Sequence, residues 1–217
     1  AEAEELVEPK HAERLTPLIQ QCSMQAGLAL HQLDAVAVSR GPGSYTALRV
    51  GVSTAKGICF ALDKPLIAID TLQALAAASL SSYKSDMQDT GLTIRALPMV
   101  DARRQEVWTA AYDRQLRLVT PAQPLILSHE MFYEFIRSIP DSGAESVFVV
   151  SGNGAKKLDT ARIFEKAVFS SIQNCSARHL SVIAESIFQK QGFQSITYFE
   201  PDYMKPPNIT TPNKPLF

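Results

Sequence analysis

The segment Val36-Ala37-Val38-Ser39-Arg40-Gly41-Pro42-Gly43-Ser44-Tyr45 decides the fold class, because it predicts a buried strand, a sharp turn and the start of a helix. The apolar run 35–38 is typical of a strand that is covered on both faces. Glycine and proline at 41–43 favour a turn, since glycine accepts backbone conformations that other residues avoid. A helix is predicted from Tyr45 to Leu62, with Ser44 available as its cap.

The neighbouring segments continue this order of strands and helices through the first half of the chain. Leu66–Ile69 predicts the next strand, and Thr71 can cap a helix that runs to about Ser81. Upstream, residues 11–26 predict a helix with one apolar face. Alternating strands and helices favour an α/β lobe in which the strands pair in parallel.

The second half begins with closely spaced strands, so we place a lobe boundary near Gly91. Three strands are predicted, at 96–100, 106–112 and 116–119. Ser128 can cap a helix that ends near Ser138. The expected division is an N-terminal lobe, 1–91, and a C-terminal lobe, 92–217, with a proline-rich tail.

A second strand-to-helix turn lies further along the chain. Ser146–Val150 predicts a buried strand that ends at Ser151-Gly152-Asn153-Gly154, and a helix is predicted from Ala155. The last helix is predicted from Ala177 to Gln191, with Gly192 as its C′ residue. The chain therefore runs twice through a strand, a Gly-x-Gly turn and a helix, which suggests two related lobes.

Composition excludes several classes of protein. The 217 residues are 46% hydrophobic and 20% charged, which are ordinary globular values and argue against a disordered or fibrous chain. A formal net charge of -1 disfavours unaided binding to nucleic acid. Three widely spaced cysteines without a C-x-x-C pair predict free thiols and a cytoplasmic protein. No apolar run approaches the roughly 20 residues of a membrane span.

Two loops could bind an anion or a nucleotide. Gly41, Gly43 and Ser44 precede the long helix, whose N-terminus offers free N–H groups. Gly152, Asn153 and Gly154 occupy the corresponding place in the second half. Neither loop carries the lysine of a phosphate-binding P-loop, and both could equally be plain strand-to-helix turns.

The helix at 45–62 has two apolar stripes. One consists of Leu48, Val52, Ala55, Cys59 and Leu62, and the other of Ala47, Gly51, Thr54, Ile58 and Ala61. A helix that is apolar on two faces must be covered on both. The first stripe can pack on the sheet of its own lobe. The second can pack on a neighbouring helix or on a partner chain, and close approach of another backbone would explain Gly51 and Gly57.

The remaining motifs leave the chemistry open. Asp101-Ala102-Arg103-Arg104-Gln105-Glu106 joins two strands and could bind phosphate or form a salt-bridged, solvated turn. The histidines lack the i, i+4 spacing of a helical metal pair, because Leu15 stands four residues after His11. We therefore assign no catalytic residue and no metal ligand.

The run Ser39–Gly51 resembles the hallmark of the TsaB (YeaZ) family, and similarity continues at Ala55-Lys56-Gly57 and Pro65–Leu72. Further matches are His11–Leu15, Val100–Val107, Gly152–Ala155 and Glu200–Tyr203. The resemblance implies a two-lobed α/β fold of the actin/Hsp70/sugar-kinase (ASKHA) type with ribonuclease H-like lobes. It implies that the chain is a degenerate relative of TsaD, which older descriptions class with M22 glycoproteases.

The resemblance also implies a function. TsaB proteins support formation of N6-threonylcarbamoyladenosine at position 37 of tRNAs that read ANN codons, as non-catalytic partners of TsaD that work with the ATPase TsaE. On this basis the chain would reach tRNA only through the complex, and it would form a homodimer when alone. A metallopeptidase and an ATPase of the ASKHA class are the alternatives.

Family members pair through helices of the first lobe. The implied interface residues are His11, Leu15, Ile19, Cys22, Ala47, Gly51, Thr54 and Ile58. No tightly bound cofactor is expected, and ATP or ADP would sit only at an interface of the assembled complex. The family also begins with a β-hairpin carrying Asp-Thr-x-Thr, which the resemblance places before Ala1 and which we expect to be omitted from this chain.

Overall fold

The fold is described from a computed structural model. The structure describes residues 1–5, 11–83, 91–143, 145–158 and 167–204. The predicted boundary at Gly91 falls at the start of one of these ranges, and most of the proline-rich tail lies outside them. The division into lobes at 91 and 92 stays a prediction.

The first half forms a small parallel sheet covered by helices. Its elements are α1 (His11–Ala26), a short 3-10 helix (Leu30–Gln32), β1 (Val36–Gly41), α2 (Tyr45–Leu62), β2 (Leu66–Asp70) and α3 (Thr71–Ser82). Strands β1 and β2 pair in parallel, with Val36 opposite Leu66 and Val38 opposite Ala68. The predicted helices, strands and parallel pairing of this half are confirmed.

The second half forms a five-stranded mixed sheet. Its elements are β3 (Thr93–Asp101), β4 (Glu106–Tyr112), β5 (Leu118–Ile126), α4 (His129–Ser138), β6 (Ser146–Ser151), a 3-10 helix (Asn153–Lys157), β7 (Ala167–Phe169) and α5 (Ala177–Gln189). The strand order is β5-β4-β3-β6-β7. Strands β3, β4 and β5 pair antiparallel, whereas β3, β6 and β7 pair in parallel.

Three sequence predictions in this half need correction. The third strand extends to Ile126, because β5 pairs only with β4 in the described sheet and an edge strand tolerates Pro121 and Pro124. The chain turns into a 3-10 helix at Asn153–Lys157, where an α-helix from Ala155 was expected. Helix α5 is capped at Lys190, so the left-handed residue after it is Gln191 and not Gly192.

Successive side chains of β2 point to opposite faces of the first sheet and join different cores. Leu66 packs with Val52, Ala55, Cys59 and Phe199 on the α2 side. On the other side, residues of α3 and α5 cover the sheet. This second core contains Ile67, Ile69, Ala74, Leu180 and Ile183. Helix α5 therefore belongs to the predicted C-terminal lobe by sequence but packs on the first sheet.

Helix α3 lies between the two sheets. Its Ala74 faces the first sheet, whereas Leu72, Leu75 and Ala76 pack on the second sheet. Leu72, Leu75 and Ala76 are at most 1% exposed. The alanine-rich sequence of this helix follows from its position, since a helix covered on two sides needs short side chains.

The segment after α5 returns across the first sheet as a strap, residues 194–204. Gln194 donates its backbone N–H to the carbonyl of Leu66 over 2.8 Å, and Asp202 donates to the carbonyl of Arg40 over 2.7 Å. The Lys56 ammonium donates to the Phe199 carbonyl over 3.0 Å. Phe199 itself is buried between α2 and β2. These contacts fix the strap to both ends of the first sheet.

We expect Phe199→Ala to lower the free energy of unfolding by about 3 kcal/mol, because it leaves a cavity between α2 and the sheet. Tyr198→Ala is the matched control. The Tyr198 side chain, next to Phe199 in the sequence, is 84% exposed, so its removal should cost less than about 0.5 kcal/mol. Urea unfolding of both variants measures the difference. Equal stability of the two variants would contradict the role of the strap.

Candidate partner surface and interlobe loops

Helix α2 buries one of its two apolar stripes inside the molecule. Leu48, Val52, Ala55 and Cys59 are buried. The last three pack on the first sheet, next to Val36, Val38 and Ala68. The prediction that this stripe covers the sheet of its own lobe is confirmed.

The second stripe of α2 is only half-covered. Ala47, Gly51, Thr54 and Ile58 are half-buried, and Ala61 is exposed. A Cβ atom at Gly51 would meet only the Val38 side chain, at an ordinary 3.8 Å. A Cβ at Gly57 would meet no described atom within 4 Å. Close approach of this chain's own described backbone therefore does not explain either glycine.

Helix α1 lies beside α2. Leu15, Ile19 and Cys22 are half-buried along it. The side chain of His11 lies outside what the structure describes. Strands β1 and β2 are parallel, so their first residues lie at the same end of the sheet. Helix α1 leads into the start of β1 and α2 into the start of β2, so both helices finish near that end. Met24 and Phe60, near these ends, are 74% and 82% exposed.

The loop around Gly41 is held by the strap. Gly41 has φ 121°, and a Cβ there would collide with the carbonyl oxygen of Asp202. Gly43 is half-buried beside Leu48. Ser44 precedes α2 as predicted, but its side chain makes no capping hydrogen bond. Residue 41 must therefore be glycine because the strap passes against its backbone.

Aromatic residues link the strap to the start of α2. The rings of Tyr45 and Tyr203 have centroids 4.5 Å apart. The Arg49 guanidinium lies 5.2 Å from the centroid of the Tyr45 ring, within range of a cation–π contact. The exposed N-terminal turn of α2 thus contacts a residue from the far end of the described chain.

The loop at Gly152–Gly154 packs against β3. Gly152 has φ 90°, and a Cβ there would collide with the carbonyl oxygen of Met99. A Cβ at Gly154 would press on Val107. The side-chain oxygen of Asn153 accepts the backbone N–H of Asp101 over 2.9 Å. All three residues of the predicted anion loop are therefore engaged by neighbouring strands.

A small group of polar side chains lies where β2 meets α3 and the second sheet. The Asp70 carboxylate caps α3 by accepting the N–H groups of Leu72 and Gln73, over 2.8 and 3.1 Å. The Tyr112 hydroxyl donates to the same carboxylate over 3.5 Å. The hydroxyl oxygens of Ser39 and Thr71 are 2.5 Å apart and share a hydrogen bond.

Burial dominates the electrostatics of this group. It raises the pKa of the Asp70 carboxyl above its ordinary value, although the two N–H donors and Arg40 act in the opposite direction. Burial and the nearby Asp70 raise the pKa of the Cys175 thiol to about 12 and also raise the pKa of the Tyr112 hydroxyl. Cys175 is therefore a protonated thiol at neutral pH and a poor nucleophile.

The described ranges contain no candidate metal site and no candidate membrane helix. No cluster of three or more His, Cys, Asp or Glu side chains there has a geometry that could hold a metal ion. Among the same residues, no helix combines the length and apolar character needed to cross a membrane.

Comparisons with a family model and with individual proteins point to related families. The model of the family described as TsaD, tRNA N6-adenosine threonylcarbamoyltransferase, matches residues 5–211. TsaB, the tRNA threonylcarbamoyladenosine biosynthesis protein of Haemophilus influenzae, is 35% identical over 111 residues, which cover 51% of this chain and 44% of that protein. TsaB of Escherichia coli is 34% identical over 110 residues, with the same coverage. The chain thus spans about half the length of the curated relatives it matches.

A solved structure of YeaZ from Pseudomonas aeruginosa has the same fold. It superposes with a TM-score of 0.71 at 24% identity and covers 92% of this chain and 86% of the solved chain. These comparisons confirm the resemblance to the TsaB (YeaZ) family and the two-lobed ASKHA-type fold that it implied.

We expect Gly152→Ala to destabilise the protein by more than about 2 kcal/mol, because the added methyl group meets a backbone carbonyl at a positive φ. Gly57→Ala is the control, since its methyl group enters open space in a helix and should stabilise by up to about 1 kcal/mol. Thermal unfolding measures both. A Gly152→Ala protein as stable as wild type would show that the loop is not packed as described.

Substitutions of Asp70 should separate its cap from its charge. Asp70→Ala loses the cap and should cost about 1 kcal/mol, whereas Asp70→Asn keeps the cap without the buried charge. Because the native pKa is raised, the folded wild type binds the proton more tightly than the unfolded chain, and its stability falls as the pH rises through the native pKa. Asp70→Asn should therefore gain stability relative to wild type as the pH rises from 4 to 7. Urea unfolding across this range checks the trend, and an opposite slope would contradict it.

Proposed function

This chain belongs to the family of the tRNA N6-adenosine threonylcarbamoyltransferase TsaD, and we propose that it acts in forming N6-threonylcarbamoyladenosine on tRNA. The names of its TsaB relatives support this process, since both are tRNA threonylcarbamoyladenosine biosynthesis proteins. The substrates are tRNAs that read ANN codons, modified at position 37.

Within this process the chain is a non-catalytic subunit that binds and activates TsaD. The observation that carries this proposal is the half-covered small-residue stripe of α2, at Ala47, Gly51, Thr54 and Ile58. Small residues let another backbone approach closely, and no described backbone outside α2 comes within 4 Å of the place where a Cβ of Gly51 would stand. The family resemblance implies that TsaD holds its metal with two histidines on one helix. Here Leu15 stands four residues after His11, where the second histidine would be, and this supports the non-catalytic role.

The same surface can pair two copies of the chain when TsaD is absent. The exposed Met24 and Phe60 add apolar area near the C-terminal ends of α1 and α2. A patch of this kind on a helix pair favours a partner whose helices pack side by side with α1 and α2. TsaE then joins the assembly, and ATP or ADP binds only at an interface of the complex.

The packing of the two glycine loops supports the proposal that this chain does not bind a nucleotide by itself. Asp202 lies against Gly41, and Met99 lies against Gly152, so the first glycine of each loop faces a carbonyl oxygen of this chain. A bound nucleotide would therefore need residues that a partner subunit contributes.

We expect Gly51→Leu and Ala47→Glu to weaken binding to TsaD by at least about tenfold, because each places bulk or charge on the small-residue stripe. Ser181→Glu is the matched control, since it adds the same charge at an exposed position on α5, which packs on the other face of the first sheet from α2. Co-purification and calorimetric titration with TsaD measure binding, and urea unfolding confirms that each variant is folded. Unchanged binding of both stripe variants would overturn the proposed interface.

A further inference from the structure

The turn between β3 and β4 has an unusual backbone. Arg103 and Arg104 have φ 69° and φ 49°, so two consecutive residues with side chains occupy the left-handed region. The left-handed region is sterically costly for residues other than glycine, asparagine and aspartate. The chain instead places two arginines there, which points to a use for their side chains.

A set of polar contacts holds the base of this turn. The Asp101 carboxylate accepts the Lys157 ammonium over 2.6 Å and the Arg103 backbone N–H over 2.6 Å. The Lys157 ammonium also reaches the Glu106 carbonyl over 3.0 Å. Asn153 binds the N–H of Asp101 from the same 3-10 helix. The turn is therefore a fixed platform.

The Asp101 carboxylate stays ionised, and Lys157 balances its charge. Burial disfavours ionisation of Asp101, but the hydrogen bonds from Lys157 and the Arg103 N–H outweigh it and hold the pKa of this carboxyl below its usual value. The Arg103 guanidinium adds a smaller Coulomb attraction. The expected salt bridge across the turn is thus made by Lys157, so neither arginine side chain is needed to satisfy Asp101.

Both guanidinium groups stay available. Arg103 and Arg104 are exposed, and neither side chain forms an ion pair with any residue in the described ranges. Lys156, next to the clamping Lys157, is exposed as well. Three exposed cationic side chains therefore lie on or next to the turn, together with the carboxylates of Glu106 and of Asp101, which Lys157 pairs.

An aromatic pair lies close to the same turn. Leu127 donates its N–H to the Gln105 carbonyl over 2.8 Å, which places the start of α4 beside the turn. There the rings of His129 and Tyr133 have centroids 4.5 Å apart and are tilted by 43°. Glu130 is the acidic residue in that first turn of the helix. Aromatic rings beside cationic side chains are a combination that proteins use to bind unpaired bases and their phosphates.

We propose that the Arg103-Arg104 turn binds the phosphodiester backbone of RNA. This inference rests on the proposed function, in which the RNA is the tRNA held by the assembly with TsaD. Guanidinium groups bind phosphate oxygens in bidentate fashion, and a rigid turn loses little freedom on binding. An acidic protein surface is the other ligand with this chemistry, but the neighbouring aromatic pair favours RNA.

The test compares two double variants that remove the same charge. Arg103→Gln with Arg104→Gln alters the turn, and Arg114→Gln with Arg137→Gln alters exposed arginines at the opposite end of β4 and α4. Binding of an unmodified transcript of a tRNA that reads an ANN codon is measured by fluorescence anisotropy from 50 to 300 mM salt. Both the assembly with TsaD and this chain alone are titrated.

Loss of two phosphate contacts should weaken binding by about tenfold and reduce the slope of log K against log salt by about 1.5. The control pair should leave both quantities within error of wild type. An unchanged slope for the turn variant, or an equal loss in the control, would overturn the proposal.

Binding of TsaD is measured in parallel, without RNA. If the turn variant loses TsaD but keeps the RNA affinity of the isolated chain, the turn is a protein contact and the proposal fails. If wild type fails to bind TsaD at all, the proposed function fails instead. RNA binding by the isolated chain that is weakened in the turn variant and not in the control would then still support the RNA contact, and isolated-chain titrations that do not depend on the turn arginines would overturn it.

Discussion

Burial of helix α3 between two sheets is the constraint on which the other features depend. A helix covered on both sides cannot carry long or charged side chains in its middle turns, and Ala74, Leu75 and Ala76 there are at most 1% exposed. Its N-terminus is buried as well, so the free N–H groups need a partner inside the protein. Asp70 supplies that partner at the end of β2. The buried carboxyl in turn shapes its surroundings, because it helps to keep the Cys175 thiol protonated.

The second constraint is the close approach of backbone segments at the two Gly-x-Gly loops. These loops look like phosphate sites in the sequence, but in each the first glycine faces a carbonyl oxygen of this chain. At Gly41 the carbonyl belongs to Asp202 in the strap, and at Gly152 it belongs to Met99 in β3. The two loops therefore bind distant segments together, and the similarity of their sequences reflects a shared packing requirement.

Local patterns predicted most elements, whereas long-range contacts set what could not be predicted. The bounds of α1 and α2 agree with the sequence because apolar periodicity and the Gly-Pro and Lys-Pro signals act within a few residues. The strap contact at Gly41 joins residues far apart in the chain, and no local pattern encodes it. The same applies to α5, whose Leu180 and Ile183 face a sheet formed by the first half of the chain. At Gln191, the chain uses a left-handed residue with a side chain one position before the available glycine.

The contrast among the glycines bears on the role of α2. Substitution of Gly41 or Gly152 is blocked by the protein itself, so internal packing is reason enough for those residues. Gly57 is different, since no described atom lies within 4 Å of the place where a Cβ would stand. A glycine in an exposed helix costs about 1 kcal/mol relative to alanine, and the described part of the chain gains nothing in return. Gly51 meets only Val38 at an ordinary distance, which would also admit a methyl group. A cost that folding does not explain is most simply attributed to an interaction made by the helix surface, and a partner backbone that packs closely on α2 would provide one.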